Sequence, residues 1–371
     1  MKKKIFKEIK LPKNNIMKDK EKNIEKDITI LGEKHTRTKS DSSPNKPLPK
    51  KDYYFNSYST YYIHEEMLKD KVRTGAYQSA ILDNSHLFQD KIVLDIGSGT
   101  GILSIFAAQA GAKHVYGIEF ADIADYSLEI IKKNNLEKKI TIIKSKVEDA
   151  VLPVNEVDII ISEWMGYFLL YESMLDCVIF ARDKWLKKEG GIMFPDRAQM
   201  FLAGIEDKKY KHRKINSWNN IYGFNMNCIK EAAISEPLID ECNDDYLISS
   251  TCKIYDIDLE KIKIEELDFM SGYEIEFNDD DCFNGLVAWF NVSFNKGKKK
   301  IELSTSPYDT MTHWKQTVFY IEDDIDVEKG EKLKGNIAVI KDKKNFRFIN
   351  IKISYHFSQH DKVYVQQYKL I

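Results

Sequence analysis

The sequence has little of what marks secreted, metal-binding or membrane proteins. Its cysteines contain no CxxC pair and are odd in number, so neither a zinc site nor a disulfide framework is predicted; they are Cys177, Cys228, Cys242, Cys252 and Cys282. No apolar run approaches the roughly 18 residues of a membrane span. The basic start MKKKIFKEIKLPK also lacks the apolar stretch of a signal peptide. We therefore expect an intracellular protein with no metal and no membrane partner.

Charge is distributed unevenly along the 371 residues. Residues 1–51 carry a net charge of +9. Because the whole chain has a net charge of −2, the remaining residues carry a net charge of −11. The basic segment has almost no aromatic residues with which to build a core, and we predict that it is a disordered extension. It either contributes to nuclear import or is a solvated tail, and we expect the protein in cytoplasm and nucleus. The acidic remainder favours cationic partners and argues against direct nucleic-acid binding.

Strand and helix patterns alternate after Asp52. A strand followed by a glycine turn is predicted at 91–99, and apolar strands at 114–119, 140–145 and 157–162. Helices are predicted at 102–110 and 123–134, and a further helix contains Glu172 and runs to about Trp185. Strands this apolar are buried on both faces, as in a parallel sheet covered by helices. The prediction is a doubly wound (Rossmann-like) α/β domain over residues 52–195.

The residue pattern changes after Pro195. A polar insertion dotted with aromatic residues occupies about 205–235. Strand-like segments with partial period-two alternation follow at 286–294, 315–322, 335–341, 346–357 and 362–370. This pattern predicts an antiparallel sheet or barrel within a second domain, residues 196–371.

The segment LDIGSGTG predicts a nucleoside-binding turn. It places Asp95 at a strand end, followed by Gly97, Gly99 and Gly101 directly before a helix. Glycines there let the backbone turn tightly and let a ligand approach closely. Glu119 ends the next strand, where a carboxylate reaches the ribose hydroxyls of a nucleoside. The alternative is a tight loop with no ligand.

The spacing of the glycines bears on which nucleoside binds. A dinucleotide fingerprint, G-x-G-x-x-G, requires glycine or alanine at 102, where the chain has Ile102. The Asp95 carboxylate would repel a pyrophosphate, whereas it could serve a cationic ligand. S-adenosylmethionine is cationic and has no phosphate, so it is favoured over NAD or FAD. A nicotinamide-dependent dehydrogenase remains the alternative.

Two glutamates lie in the otherwise apolar run ISEWMGYFLLYESML (161–175). A buried carboxylate is costly unless a cation or hydrogen-bond donors meet it. Glu163 follows a strand at the carboxyl edge of the sheet, where ligands bind in such folds. Glu172 comes nine residues later, which allows a loop to bring both side chains to one pocket. For Glu172 alone, a helix-capping role is an equally open alternative.

Taken together, these residues closely resemble the type I protein arginine methyltransferases. The resemblance extends from Asp52 to the C-terminus and rests on DYYF…SY, IHEEMLKDKVRT, VLDIGSGTGILS, GIE, KVED, VDIIISEWMGY…LLYESML, FPDRA and THWKQTVFY. It implies an S-adenosylmethionine-dependent domain followed by a β-barrel domain with a helical dimerisation arm at about 205–235. The expected partners are Arg/Gly-rich RNA-binding proteins and a histone tail as substrates, and a second copy of the chain.

The resemblance also implies a set of cofactor-binding residues. Arg73 would hold the methionyl carboxylate, Glu119 would bind the ribose, Glu148 would lie near the adenine, and Val147 is a further cofactor-binding residue. The YFxxY helix of Tyr54, Phe55 and Tyr58 would cover the cofactor. The remaining members of the predicted cofactor set are His64, Met67, Asp95, Gly97 and Gly99.

For the substrate, the resemblance implies that Glu163 and Glu172 hold the arginine guanidinium. His313 and Trp314 would close the arginine pocket, with His313 in an Asp–His proton relay whose aspartate the sequence does not identify. Met67 and Met174 would leave room for a monomethylated arginine, giving asymmetric dimethylarginine. Neither glutamate is expected to have a permanent internal counter-ion.

The chain departs from the family pattern at three noted positions. Asn56 stands where the family usually has Asp, Tyr62 where it has a small Gly, and Phe120 where small polar residues follow the ribose-binding acid. None of these removes a residue expected to take part in chemistry. A non-catalytic reader of Arg-rich tails remains a second hypothesis, against which the presence of Glu163 and Glu172 argues.

Overall fold

The fold is described by a computed structural model that covers residues 53–359 and 362–371, so that the predicted basic extension lies outside the described residues. The helices are α1 Tyr53–Ser57, α2 Tyr61–Lys69, α3 Lys71–Leu82, α4 Ser85–Phe88, α5 Ile102–Gln109, α6 Ile123–Lys133, α7 Met174–Trp185, α8 Lys208–Lys214 and α9 Lys230–Ser235. Short 3-10 turns lie at Asn216–Asn219, Asn227–Ile229, Asp244–Tyr246 and Ile264–Leu267. None of the described helices is long and apolar enough to span a bilayer.

A five-stranded parallel sheet forms the first domain. Its strands are β1 Ile92–Ile96, β2 His114–Glu119, β3 Ile140–Lys144, β4 Ile159–Ser162 and β5 Ile192–Phe194, in the order β3-β2-β1-β4-β5. Strands β2 and β3 lie on one side of β1, and β4 and β5 lie on the other, so the strand order reverses between β1 and β4. In such sheets the usual ligand site is the crevice at the carboxyl ends of the strands at this point. The predicted doubly wound α/β fold is confirmed.

The register of this sheet places the predicted site residues along one edge. Ile96 pairs with Ile118 on β2 and with Ser162 on β4. The residues that follow these strand ends, Gly97 and Glu163, therefore leave the sheet beside Glu119. Glu172, however, precedes helix α7 rather than lying within a helix, which corrects the prediction at that point.

The second domain consists of antiparallel sheets. Its strands are β6 Arg197–Ile205, β7 Leu238–Asp240, β8 Cys252–Asp258, β9 Phe269–Glu276, β10 Asp281–Phe294, β11 Ile301–Ser304, β12 Gln316–Val327, β13 Lys332–Lys341, β14 Ile349–Phe357 and β15 Tyr364–Leu370. They pair as β7-β12-β10-β6-β8, with β11 on β10, and as β15-β14-β13-β9. Within the described part of the chain these are two sheets rather than a single closed barrel. Period-two alternation predicts the antiparallel strands, whereas closure depends on strand tilt and shear, which alternation does not specify.

Side chains of both domains share one hydrophobic core. Phe294 on β10 contacts Tyr77 of helix α3 at 4.9 Å and Phe194 of β5 at 5.1 Å between ring centroids. Buried Asn84 also donates to the carbonyl of Lys299 and accepts from its N–H. The second domain is thereby fixed against the carboxyl edge of the parallel sheet, where the candidate site lies.

Candidate active site

A cavity of about 210 Å³ lies at the carboxyl edge of the parallel sheet, bordered by both domains. Apart from Asp95, the residues predicted from the sequence all line it: Tyr54, Phe55, Tyr58, His64, Met67, Arg73, Gly97, Gly99, Glu119, Val147, Glu148, Glu163, Glu172, Met174, His313 and Trp314. Residues separated by up to 260 positions in the sequence thus meet in one place. In the described residues, no cluster of three or more potential metal ligands was found.

Asp95 is the predicted site residue that does not line the cavity. Its side chain is fully buried beneath the glycine turn and accepts a 2.7 Å hydrogen bond from Ser104 Oγ in the first turn of α5. Burial raises the pKa of Asp95 to about 7. Asp95 therefore ties the sheet to the start of the helix, and it supports the turn rather than facing a ligand.

The glycine turn leaves room for a ligand at the end of β1. Gly97 and Gly99 have φ values of +69° and +54°, a region that glycine adopts without strain. A Cβ at Gly97 would lie 2.3 Å from Met174 Cε, so any larger residue would displace the methionine and narrow the cavity. Glu119 accepts hydrogen bonds from the N–H groups of Gly99 (3.0 Å) and Ala121 (2.7 Å). These bonds fix its carboxylate at the rim, where the nucleoside of a cofactor would bind.

Helix α1 forms a lid over this cavity. Tyr58, just beyond the helix, donates its hydroxyl hydrogen bond to Glu172 Oε2 at 2.9 Å. His64 Nε2 lies 2.8 Å from the Tyr58 carbonyl oxygen, which can only accept, so this nitrogen carries the proton. Burial lowers the pKa of His64, which favours the neutral ring. His64 thus holds the end of the lid, and the lid in turn contacts a candidate catalytic carboxylate.

Arg73 forms an ion pair with Glu163. Its Nε and Nη2 atoms donate to Glu163 Oε2 at 2.9 and 2.5 Å, and both side chains are more than 90% buried. The expectation that neither glutamate has an internal counter-ion is therefore wrong for Glu163. Helix α3 places its first turn, which carries Arg73, against the end of β4, a long-range contact that local sequence does not reveal. The pairing uses Glu163 Oε2, and the residue lines the cavity.

Glu172 is held by a strained turn before α7. Glu172 and Ser173 have φ values of +75° and +55°, which are unfavourable for residues with a side chain. The 342–348 hairpin of the second domain holds this turn: the Glu172 N–H donates to the Arg347 carbonyl, and Arg347 Nη1 donates to the Glu172 carbonyl, both at 2.9 Å. Because the Glu172 carboxylate bonds to Tyr58 and lines the cavity, the helix-capping alternative is not supported.

Burial raises the pKa of Glu172 to about 7. The neighbouring Glu163 charge adds to this rise, while the Tyr58 hydrogen bond and the Arg347 charge oppose it. The folded protein therefore binds a proton at Glu172 more tightly than the unfolded chain does. The resulting stabilisation is complete below about pH 4.5 and is lost as the pH rises through 7. At pH 8 the protein therefore carries a negatively charged carboxylate that is largely buried.

Glu172→Gln is expected to stabilise the protein at pH 8 by about 2 kcal/mol and to have little effect at pH 5. Glutamine keeps an acceptor for the Tyr58 hydroxyl and removes the buried charge. Thermal unfolding of the variant and the wild type at both pH values tests this. Asp95 also has a pKa of about 7, but it is present in both proteins, so its contribution cancels in the difference between their melting temperatures. An equal difference in melting temperature at the two pH values would contradict the expectation.

His313 lines the cavity and is held from behind by Asp70, the aspartate that the sequence did not identify. His313 Nδ1 lies 2.8 Å from Asp70 Oδ2, which also accepts from the His313 N–H at 2.9 Å. Burial raises the pKa of Asp70, but the hydrogen bonds from His313 and from the Arg73 N–H outweigh it and hold that pKa below its ordinary value. Asp70 thus remains a carboxylate that orients the ring.

Trp314 connects the loop that carries His313 to the segment between Glu163 and Glu172. It is buried, and its Nε1 donates to the carbonyl oxygen of Met165 at 2.8 Å. Asp70 and Arg347 are the functional residues missing from the predicted set. Asp70 had a weak local signal, since it is the N-cap of α3 and accepts from the Arg73 N–H. Arg347 had none, because its role arises from contacts across more than 170 residues.

The fold and this site define a doubly wound α/β protein with a glycine turn and a carboxylate-lined cavity at the carboxyl edge of its sheet, the usual ligand site of this class. Two family models match the chain: the arginine methyltransferase oligomerization subdomain over residues 196–360, and ribosomal protein L11 methyltransferase (PrmA) over residues 77–181. Protein arginine N-methyltransferase 1 of Chlamydomonas reinhardtii is 54% identical over 306 residues, which cover 82% of this chain and 88% of that relative. Protein arginine N-methyltransferase 8-B of Danio rerio is 52% identical, over 83% of this chain and 73% of that protein.

Solved structures give the same result. The Trypanosoma brucei PRMT1 enzyme–prozyme heterotetrameric complex with AdoHcy matches with a TM-score of 0.82 and 39% identity, covering 85% of this chain and 100% of that one. Arabidopsis thaliana protein arginine methyltransferase 10, in an open conformation, matches with a TM-score of 0.77 and 33% identity, covering 86% of this chain and 100% of that one. The chain belongs to the protein arginine N-methyltransferase family, as the sequence resemblance implied.

Proposed function

We propose that this arginine N-methyltransferase transfers methyl groups from S-adenosylmethionine to arginine side chains in Arg/Gly-rich proteins and histone tails, giving monomethylarginine and then asymmetric dimethylarginine. The observation that carries the proposal is the meeting of Glu163 and Glu172 in one cavity beside the glycine turn. This arrangement combines a site for a nucleoside with a site for a planar cation.

The residues present fit S-adenosylmethionine. Gly97 and Gly99 allow a close approach at the end of β1, Glu119 can offer its carboxylate to ribose hydroxyls, and Glu148 also lines the cavity. Arg73 can share its guanidinium between Glu163 and the methionyl carboxylate, because a guanidinium has five N–H donors. When bound, S-adenosylmethionine supplies an electrophilic methyl group on its sulfonium.

The two carboxylates act on the substrate guanidinium. An arginine has a pKa above 12 and is a poor nucleophile because its lone pairs are delocalised. Glu163 and Glu172 can accept hydrogen bonds that fix the guanidinium plane and concentrate its positive charge on one side, leaving the other nitrogen oriented for in-line attack. The apolar residues between them exclude water, which strengthens both interactions. His313, oriented by Asp70, can then accept the proton that methylation releases.

Two methionines of the pocket wall support the proposed product. Met67 and Met174 both line the cavity, and an unbranched methionine side chain leaves space for a methylated nitrogen to return. This supports a second methylation on the same nitrogen and hence asymmetric dimethylarginine. The net charge of −11 outside the basic extension agrees with Arg-rich substrates.

A labelled-methyl assay on a Gly/Arg-rich peptide tests the proposed function. We expect methyl incorporation that requires S-adenosylmethionine, with asymmetric dimethylarginine as the final product by mass spectrometry. A peptide with lysine in place of every arginine is the control and should remain unlabelled. Exclusively monomethylated or symmetric product would contradict the proposed reaction type, and labelled lysine peptide would contradict the proposed substrate.

The arm at 205–235 is proposed to mediate a homodimer. Tyr222 is 98% exposed and Phe224 is 69% exposed, so their aromatic surface is available to a second subunit. Trp218 and Met226 lie in the same segment, and an N–H···O bond from Met226 to Trp218 braces it. The match of residues 196–360 to an oligomerization subdomain supports this assignment.

The double variant Tyr222→Ser/Phe224→Ser is expected to weaken self-association at least tenfold, because exposed aromatic anchors dominate interface energetics. Sedimentation velocity over a range of protein concentrations measures the change. Tyr308→Ser, at a 59% exposed tyrosine outside the arm, is the matched control. Unchanged sedimentation of the arm variant, or a wild-type protein that is monomeric and fully active, would count against the proposed dimer.

The proposed location is cytoplasm and nucleus. Its support is the basic extension of residues 1–51, which has the lysine-rich composition of import signals. Imaging of the tagged full chain beside a chain that lacks residues 1–51 tests this. Complete exclusion of the full chain from the nucleus would contradict it.

A further inference from the structure

An aromatic cluster joins the lid to the cofactor-binding domain. The ring of Phe120, directly after Glu119, meets the ring of Phe55 on helix α1 edge to face at 4.5 Å between centroids. Lys146 Nζ lies 5.2 Å from the Phe120 centroid and 5.8 Å from that of Phe55. All three side chains line the cavity. The cluster thus closes one side of the site with residues from three separate segments.

The loop that carries Phe120 also holds the lid through its backbone. The Asp122 N–H donates to Ser59 Oγ at 3.1 Å, and Ser59 Oγ donates to the Phe55 carbonyl at 2.9 Å. On the far side of the lid, the Arg347 guanidinium lies 3.7 Å from the ring centroid of Tyr54. Helix α1 and the residues just after it are therefore attached to both domains, and Phe120 adds an aromatic contact with the cofactor domain to the Tyr58–Glu172 hydrogen bond.

We propose that Phe120 is a positioning residue for cofactor binding, which anchors the lid through Phe55 and Lys146 and so slows release of the nucleoside. The inference rests on the proposed function, since it assigns the cavity to S-adenosylmethionine. Phe120 is 39% exposed, and its edge-to-face contact with Phe55 covers part of a ring that would otherwise face water.

The expected effect follows from how a lid acts on affinity. For a cofactor that binds only when the lid is closed, the apparent Kd equals the intrinsic Kd divided by the fraction of molecules with a closed lid. Loosening the lid lowers that fraction and therefore raises the apparent Kd in proportion. An edge-to-face aromatic pair and a cation–π contact together correspond to a change of about three- to tenfold. Because the closed lid hinders exit, most of this change should appear in the dissociation rate.

Binding of S-adenosylhomocysteine by full-length variants tests the anchor. Phe120→Ser is expected to raise the Kd three- to tenfold with a correspondingly faster dissociation rate, and Lys146→Met about twofold. Tyr246→Ser, at a tyrosine that is also 39% exposed but lies away from the cavity, is the control and should bind as the wild type does. The double variant Phe55→Ala/Phe120→Ser should bind no more weakly than Phe55→Ala alone, because either change removes the same contact. Wild-type affinity in Phe120→Ser, or full additivity in the double variant, would overturn the inference.

Amide hydrogen exchange of the free enzyme separates this inference from the proposed function. Phe120→Ser should increase exchange in residues 53–59 and leave the five-stranded sheet unchanged. If the wild type failed to bind S-adenosylhomocysteine, the proposed function would fail, yet the exchange comparison would still decide whether Phe120 anchors the lid. Equal exchange of residues 53–59 in the two proteins would show that it does not.

Discussion

Arg73→Met is expected to destabilise the enzyme by about 3–5 kcal/mol, since it leaves a buried carboxylate without its cation. Both members of the Arg73–Glu163 pair are more than 90% buried, and two guanidinium N–H groups converge on one glutamate oxygen. Methionine retains most of the arginine's apolar stem but provides no charge. Urea unfolding at pH 8 should show this loss as a lower midpoint.

A double variant identifies the cause of that loss. Arg73→Met/Glu163→Gln should recover most of the stability, because the unpaired charge is then absent from the interior. Arg197→Met is the control: Arg197 also pairs bidentately with a carboxylate, Asp256, but its side chain is 49% exposed, so the change should cost less than about 1 kcal/mol. A double variant as unstable as Arg73→Met would show that the ion pair is not the reason.

Glu163→Gln is expected to lower the rate of methyl transfer about 10²–10³-fold under single-turnover conditions. The amide keeps the size of the side chain but removes the negative charge that would face the guanidinium and one of its acceptor oxygens, and loss of one such electrostatic contact typically costs this much. Rapid-quench measurement of labelled peptide, with enzyme and cofactor in excess, reports the chemical step.

Two comparisons show whether this loss is catalytic. Glu189→Gln removes a glutamate at an exposed position outside the cavity and should have the wild-type rate. The affinity of Glu163→Gln for S-adenosylhomocysteine should change much less than the rate, because Arg73 remains in place. A loss of rate explained entirely by weaker cofactor binding would assign Glu163 to cofactor binding instead.

The sequence was most informative where local pattern determines structure. Strands β2 and β3 begin at the predicted residue, and helix α7 ends at Trp185 as expected, since apolar runs bounded by glycine or polar turns define these elements. The carboxyl edge of a parallel sheet then brings Gly97, Glu119 and Glu163 together. That part of the site follows from strand order alone.

What the sequence did not reveal depends on contacts between distant segments. The sequence pattern predicts Glu172 within a helix, whereas the 342–348 hairpin holds it in a left-handed turn. The counter-ion of Glu163 and the partner of His313 come from the junction of α2 and α3, at Arg73 and Asp70. Asp95 was placed correctly on its strand, but the direction of its side chain depends on Ser104.

The two glutamates therefore have different electrostatic environments. Glu163 shares an ion pair with Arg73, whereas Glu172 accepts a hydrogen bond from Tyr58, lies in the field of Arg347 and has a pKa raised to about 7 by burial. In this account a substrate guanidinium completes the charge balance at Glu172, while Glu163 supplies a second, already oriented acceptor. The ionised Glu172 carboxylate that lowers the stability of the protein at high pH is thus the same group that can bind a cation.

The most direct test of the two-carboxylate account is the single-turnover rate of labelled methyl transfer at pH 8 by Glu172→Gln and by Glu163→Gln/Glu172→Gln. The account predicts a rate at least about 100-fold below wild type for Glu172→Gln, and a double variant within about tenfold of the slower single variant, because both groups hold one guanidinium. A wild-type rate in Glu172→Gln, or a double variant whose loss is the product of the two single losses, would contradict it.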